Sequence, residues 1–225
     1  ERHRLVARRV GMILEDTHYR RTDIDDRMSA QVYKRYLDFL DGQHSYFLAS
    51  DLTEFDRYRL RFDDMIRTGE IEPAYVIFAR FQQRNRERIR FALAQLDKEP
   101  DWTVNESFEF DRSKADWLAD EASLDELWRK RVKNDWLRLR LAGKDDKAIR
   151  ETLAKRYDNY LARATRNKSD DVFQVFMNAY AMSIEPHTNY LGRSAADDFD
   201  ISMRLSLVGI GAVLQERDDY ITIRE

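Results

Sequence analysis

The sequence predicts a mainly α-helical protein that passes, near its C-terminal end, into the first strands of a β module. Three observations carry this. Glycine and proline are scarce, 7 and 3 in 225 residues, while 36% of the residues are charged. Apolar residues recur at helical spacing along most of the chain. After Phe199 the period changes to two.

The helices follow in order. From Ser29 to Leu40, Val32, Tyr33, Tyr36, Leu37 and Leu40 share one face, and Asp41-Gly42 closes the run. A second helix opens at Ser50-Asp51, with Phe55, Tyr58, Phe62, Met65 and Ile66 on its apolar face and Gly69 at its C-terminal cap. Pro73 stands where a first helical turn tolerates proline, and a long helix runs behind it through Ile77, Phe81, Ile89 and Leu96 to Pro100. Residues 101–120 lose the period but carry Trp102, Phe108, Phe110 and Trp117, which predicts an excursion pinned by aromatic rings. Ser123-Leu-Asp-Glu126 reads as a capping box before a helix through Leu124, Leu127, Trp128, Val132, Trp136 and Leu139. Asp145-Asp146 opens the next, with Ile149, Leu153, Tyr157, Tyr160 and Leu161 inward. Ser169 opens the last, with Val172, Phe173, Phe176, Tyr180 and Ile184 inward, and Pro186 stops it.

The domain reading is therefore a helical domain over 1–190, a linker over 191–200 and the start of a truncated β module over 201–225. Ile201, Met203, Leu205 and Leu207 alternate with polar residues as a half-buried strand, Gly209-Ile210-Gly211 interrupts it, and Tyr220–Ile223 returns. The chain reads as a piece of something longer, since it lacks an initiator Met and stops on Thr222-Ile-Arg-Glu225 with no closing element.

Composition excludes several classes. A 43% hydrophobic share with 12 Phe, 11 Tyr and 4 Trp is too rich for a disordered chain. Mean hydropathy of −0.72 reflects the charges, not a lack of core formers. No apolar run approaches the roughly 18 residues that a membrane span needs, and the first residues lack the apolar stretch of a signal peptide. Lys+Arg and Asp+Glu nearly balance at 39 and 42, without the basic excess of a nucleic-acid binder. The absence of cysteine excludes disulfides, thiolate zinc ligands and a cysteine nucleophile, and says nothing about compartment.

The search for chemistry narrows quickly. His3, His18, His44 and His187 form no helical zinc pair and read as scattered surface or hydrogen-bonded side chains. Six aspartate pairs occur, but neighbours on a helix point about 100° apart and do not converge on one cleft. Two of those pairs sit at predicted helix starts, where negative charge meets the helix dipole favourably. Arg80, Arg84, Arg86, Arg88 and Arg90 give one helix a basic flank, read as a solvated face or a docking face for an acidic partner. No Ser-x-x-Lys, G-x-S-x-G or Walker A sequence occurs. The Gly209-Ile-Gly-Ala-Val-Leu214 stretch has only two of the glycines of a dinucleotide fingerprint and no helix behind it, so that reading is rejected. Two glycines between extended segments can turn backbone N–H groups toward a peptide carboxylate; a simple β-bulge is about as good a reading on physics alone.

Several blocks in order carry a resemblance: Arg35-Tyr-Leu-Asp-Phe-Leu-Asp41, Asp111-Arg-Ser-Lys-Ala115, Gly143-Lys-Asp-Asp-Lys-Ala-Ile-Arg-Glu-Thr-Leu153, Ser169-Asp-Asp-Val-Phe173, Pro186-His-Thr-Asn-Tyr-Leu191 and Ser206-Leu-Val-Gly-Ile-Gly-Ala-Val-Leu-Gln215. Over nearly all of its length the chain resembles the N-terminal portion of the tail-specific, or carboxyl-terminal processing, proteases of the long proteobacterial type. The resemblance implies a periplasmic protein with a helical N-terminal domain, then a PDZ domain, then a core that uses a Ser/Lys dyad. The substrates implied are proteins with apolar, unstructured C-terminal tails. It also implies that Leu207, Gly209, Ile210 and Gly211 belong to the peptide-binding start of the PDZ domain, and that the helical domain walls a substrate vessel and docks a lipoprotein adaptor. The arginine-flanked helix from Pro73 to Leu96 is the candidate docking face. Where the family has Asp-Pro-His, this chain has Glu185-Pro186-His187, which keeps the charge.

The dyad would lie beyond Glu225, so no catalytic residue is assigned within the chain, and neither a cofactor nor a metal is expected. Nucleic acid and a membrane span are not expected as partners either. The competing reading is a non-catalytic helical module that docks an adaptor or substrate.

Overall fold

The computed structural model describes residues 1–203, 213–217 and 220–224. They divide into two units, Glu1–Tyr190 and Leu191–Glu225. The regular elements of the first unit are helices: α1 (Arg2–Thr17), α2 (Asp26–Asp41), α3 (Ala49–Phe55), α4 (Phe62–Thr68), α5 (Glu72–Ala94), α6 (Glu121–Leu141), α7 (Asp146–Arg166) and α8 (Ser169–Ile184), with short 3₁₀ turns after α3 and α5.

The 23 residues of α5 span about 34 Å, long enough to serve two cores. Its N-terminal half, through Ala74, Ile77 and Phe78, joins a core with α1, α2, α4 and α8, centred on Tyr36, Phe62, Ile66, Phe176 and Tyr180. Its C-terminal half, through Ile89 and Ala92, joins a second core with Trp128, Val132 and Trp136 of α6 and Ile149, Leu153 and Tyr157 of α7. The predicted inward faces of α2 and α8 are buried throughout. On α7 the reading was too generous, because Tyr160 is exposed.

Helix starts follow local chemistry. Asp25 accepts the N–H of Met28 at 2.9 Å, Asp145 that of Ala148 at 2.8 Å, and Asp171 that of Lys168 at 2.7 Å. The Ser123 capping box is displaced by three residues: Asp120 is the cap of α6 and accepts the Ser123 N–H at 2.7 Å. Gly69 ends α4 in the left-handed region, φ 79°, as its sequence position predicts. Gly42 does not end α2 that way, since its φ is −64°. The side chain of Asp41 closes the helix instead, accepting the N–H groups of Ser45, Tyr46 and Phe47 at 2.8–2.9 Å.

Two segments depart from the periodicity. The single helix expected from Ser50 to Thr68 is broken between Asp56 and Arg61. Ser29 of α2 holds the break, donating to the Arg59 carbonyl at 3.0 Å and receiving the Phe62 N–H at 2.7 Å. The new start lets Phe62, Met65 and Ile66 turn into the first core independently of Phe55. The other departure is α1, which the sequence did not announce. Its buried seam is narrow, Ala7 and Gly11, while Leu5, Met12 and Ile13 stay exposed and blur the apolar period. Gly11 lies so close to α4 that a Cβ there would overlap Ile66 Cγ2.

The excursion over 101–120 is pinned at fewer points than its rings suggested. Trp117 stacks on His44 at 3.7 Å, and Leu118 forms a bridge to Leu48. Trp102 packs on the second core, whereas Phe110 is exposed. Charge supplies another pin, because Glu106 pairs with Arg129 and Lys133.

In the second unit, α9 (Arg193–Met203) occupies the expected linker and the first strand residues, Ile201 and Met203. Phe199 and Met203 are four apart, so the alternation there is equally a helical spacing, and a helix already under way from Arg193 decides between them. Strands β1 (Val213–Arg217) and β2 (Tyr220–Arg224) pair antiparallel, with Val213 opposite Arg224 and Arg217 opposite Tyr220.

Candidate functional site

The residues singled out for peptide binding, Leu207, Gly209, Ile210 and Gly211, lie outside the described residues, as does Leu205 of that expected strand. What the structure does locate are the acidic, basic and histidine side chains of the helical unit.

The basic flank of α5 is not an open face. Asp51, 1% exposed, sits between Arg80 and Arg84: Arg84 Nε donates to it at 2.9 Å, Arg80 bonds its other oxygen, and the Leu48 N–H donates at 3.0 Å. Burial pushes the Asp51 carboxyl up, but the Arg84, Leu48 and Arg80 hydrogen bonds outweigh it and leave the group below its ordinary value. Arg80 also reaches Glu54 at 2.9 Å, and Arg84 reaches Glu87 and Glu121, each at 3.2 Å. Arg88, buried on α5, pairs with Asp125 of α6. The docking face anticipated for an acidic partner is thus largely satisfied by the protein's own carboxylates. Sequence spacing locates the arginines but not the acids that neutralise them.

A second cluster ties the chain ends of α1 and α8. Glu185 accepts the backbone N–H of His187 at 2.8 Å and faces His187 Nδ1 at 2.7 Å, and those two bonds hold its carboxyl below the ordinary range. Thr188 Oγ1 lies 3.1 Å from His18 Nε2 and 3.3 Å from Glu185. This has the composition of a nucleophile, a base and an acid, but the protons run the wrong way. The Arg20 N–H donates to His18 Nδ1 at 3.3 Å, so neutral His18 carries its proton on Nε2 and donates it to Thr188. Thr188 then donates to Glu185. A base that is already the donor does not activate that hydroxyl. The cluster is a structural knot, and the charge kept at Glu185 serves it.

His3 is used similarly: it stacks on Phe173 at 4.4 Å and bonds Asp170 at 2.6 Å, fastening α1 to α8. Among the described residues no group of three His, Cys, Asp or Glu is placed to hold a metal ion. Among them, too, no helix is long and apolar enough to cross a membrane.

A broad concavity of the helical unit, about 820 Å³, runs along α2 and is lined by Tyr33, Leu37, His44, Leu52, Leu60 and Trp117. Its rim mixes charge, with Lys34 and Arg59 beside Asp38 and Asp56. His44 points its Nδ1 at the Ala115 carbonyl, 2.5 Å away, which fixes the ring against Trp117 and shapes one wall.

The helical unit is thus one in which two cores share a single long helix, α5. Comparison with known proteins gives it a family. A family model for the tail specific protease N-terminal domain matches residues 10–194. The whole chain is 39% identical over 225 residues to a tail-specific protease of Haemophilus influenzae, of which it covers 32%. The chain belongs to the tail-specific protease family and spans about a third of the length of that relative.

Proposed function

We propose that this chain is the N-terminal part of a periplasmic serine endopeptidase that degrades or trims proteins from apolar C-terminal tails. The observation that carries the reading is the 39% identity to a tail-specific protease along all 225 residues, which includes the segment from Leu191 onward as well as the helical unit. In this reading the Ser/Lys dyad belongs to the polypeptide beyond Glu225, with lysine as the general base for serine. The helical unit serves as a wall of the substrate vessel and as a docking surface for a lipoprotein adaptor. Its construction suits a wall, because two cores share one helix and the arginines of that helix are held by internal carboxylates.

Tail capture falls to the segment around Gly209. An apolar tail adds as a strand, its side chains enter pockets on one face, and its terminal carboxylate meets the backbone N–H groups of Gly209, Ile210 and Gly211. In this reading Leu207, two positions before Gly209 in the sequence, supplies an apolar residue for the tail. Binding by the tail then places the rest of the substrate before the dyad.

The test uses the full-length polypeptide and one substrate protein in two forms, ending in an apolar or a charged tail. Preferential cleavage of the apolar form, abolished when the dyad serine is replaced by alanine, is the expected result. Binding of the apolar tail without any turnover would replace this reading with that of a non-catalytic docking module. Cleavage by the 225-residue chain alone would overturn the placement of the dyad.

A further inference from the structure

The helical unit has a second, smaller cleft lined by arginines and by no acid. It lies where the Tyr46 loop, α5, α6 and α7 meet, has a volume of about 330 Å³, and is lined by Tyr46, Asn85, Trp128, Arg131, Tyr160 and Arg163, with Ile89 and Ala164 as apolar floor. Both of its charged residues are arginines, and no carboxylate lines it. The protein as a whole is slightly acidic, with a net charge of −3.

The arginines elsewhere in this unit set the standard. Arg80, Arg84, Arg88 and Arg129 each hold at least one carboxylate. Arg131 and Arg163 hold none among the described residues. Arg131 instead lies over the Trp128 ring, 4.5 Å from its centroid, and hydrogen-bonds the Tyr46 phenol, so its guanidinium is paired with no acid. The nearest acid along α6, Asp135, is engaged by the Tyr157 hydroxyl at 2.8 Å and by Arg156 at 4.0 Å. On α5, Glu87 is taken by Arg84 and by Gln83. The neighbouring acids are thus committed elsewhere, and the two guanidinium groups face the same concavity with complementary company: the phenols of Tyr46 and Tyr160 and the amides of Asn85 and Asn167.

We propose that this cleft is a binding site for a carboxylate-bearing ligand, held between Arg131 and Arg163. A guanidinium presents a planar fork that matches the two oxygens of a carboxylate. Trp128 pre-orients one fork, while Arg163, on the exposed side of α7, closes over the ligand from the other wall. Phenol and amide donors meet the remaining lone pairs, and the apolar floor lowers the local dielectric and strengthens the charge interaction. The volume lies at the small end for ligand clefts, which suits a compact dicarboxylate or one acidic side chain of a peptide. All of the residues that line the site belong to the helical unit.

Calorimetric titration of the 225-residue chain tests this with three probes: succinate, the capped tripeptide acetyl-Ala-Glu-Ala-amide, and inorganic phosphate. The tripeptide has no free terminal carboxylate, so it does not report on a tail-binding loop. Saturable binding of succinate or of the tripeptide is expected, weakened about tenfold or more by Arg163→Ala. Arg166→Ala, which removes an exposed arginine of α7 outside the cleft, should leave it unchanged. Tighter binding of the tripeptide than of succinate identifies a polypeptide as the source of the carboxylate, and the reverse order identifies a small molecule. The proposal is overturned if no probe binds, if phosphate binds more tightly than either carboxylate, or if Arg166→Ala weakens binding as much as Arg163→Ala. Since Arg163 is exposed, its substitution does not put folding at risk; Arg163→Lys, which keeps the charge without the fork, should recover only part of the affinity.

Discussion

The Phe62 N–H donates to the hydroxyl of Ser29 at 2.7 Å, so a side chain of α2 determines where α4 begins. The same hydroxyl donates to the Arg59 carbonyl, and Ser29 and Phe62 are both fully buried. Replacing Ser29 by alanine leaves the Phe62 N–H without a partner and out of reach of water. The expected loss is about 1–3 kcal/mol, read as a lower urea midpoint with an unchanged denaturant slope.

Asp51 organises Arg80 and Arg84 from a position 1% exposed. Asp51→Asn keeps the shape and removes the charge, leaving two half-buried guanidinium groups short of their shared partner. Glu54, Glu87 and Glu121 remain beside them, so the loss should fall near the low end for breaking a buried pair, about 3 kcal/mol. Thermal unfolding of the variant against the parent chain measures it.

Glu106 supplies a pH signature. Hydrogen bonds from Arg129 and then Lys133 bring its carboxyl down to about 2 in the folded chain, against about 4.3 in the unfolded one. A carboxyl lowered on folding stabilises the fold at pH above its unfolded value and loses that contribution as pH falls through the folded one. The stability difference between the parent chain and Glu106→Gln should therefore be constant near neutrality and shrink between about pH 4.3 and pH 2. Urea midpoints measured across that range check it; a difference that stays flat would mean that the two cations do not hold Glu106 in solution.

Gly11 is where α1 meets α4. A Cβ at this position overlaps Cγ2 of Ile66, which is itself fully buried. Gly11→Ala should cost about 1–3 kcal/mol through overpacking, despite the better helix propensity of alanine. Hydrogen exchange of α1 amides should rise in the variant while α6 and α7, which belong to the other core, keep their protection.

Much of this fold was legible because its signals are local. Asp145 and Gly69 act within a few residues of themselves, and the apolar stripes of α2 and α8 belong to single helices. The errors fall where a distant group intervenes. Gly42 follows α2 as a terminator would, yet the Asp41 carboxylate stops the helix by gathering three N–H groups from the next loop. Ile201 and Met203 fit a strand on spacing alone but continue α9. The arginines of α5 were visible as a basic flank, while Asp51 and Asp125 come from other helices, so the flank looked free.

By itself, then, the sequence determined the helical class, the starts of α3, α5, α7 and α8, most of the buried faces and the family resemblance, since these rest on periodicity, caps and order along the chain. Only the tertiary structure decided which charges meet. Arg80, Arg84 and Arg88 are neutralised across helices, His18 is held as a donor in the Thr188 and Glu185 knot, and Arg131 and Arg163 are left facing one cleft without an acid. The physical reason is that an ion pair or a proton's direction depends on distances between residues far apart in the chain, and those distances exist only once the helices have packed.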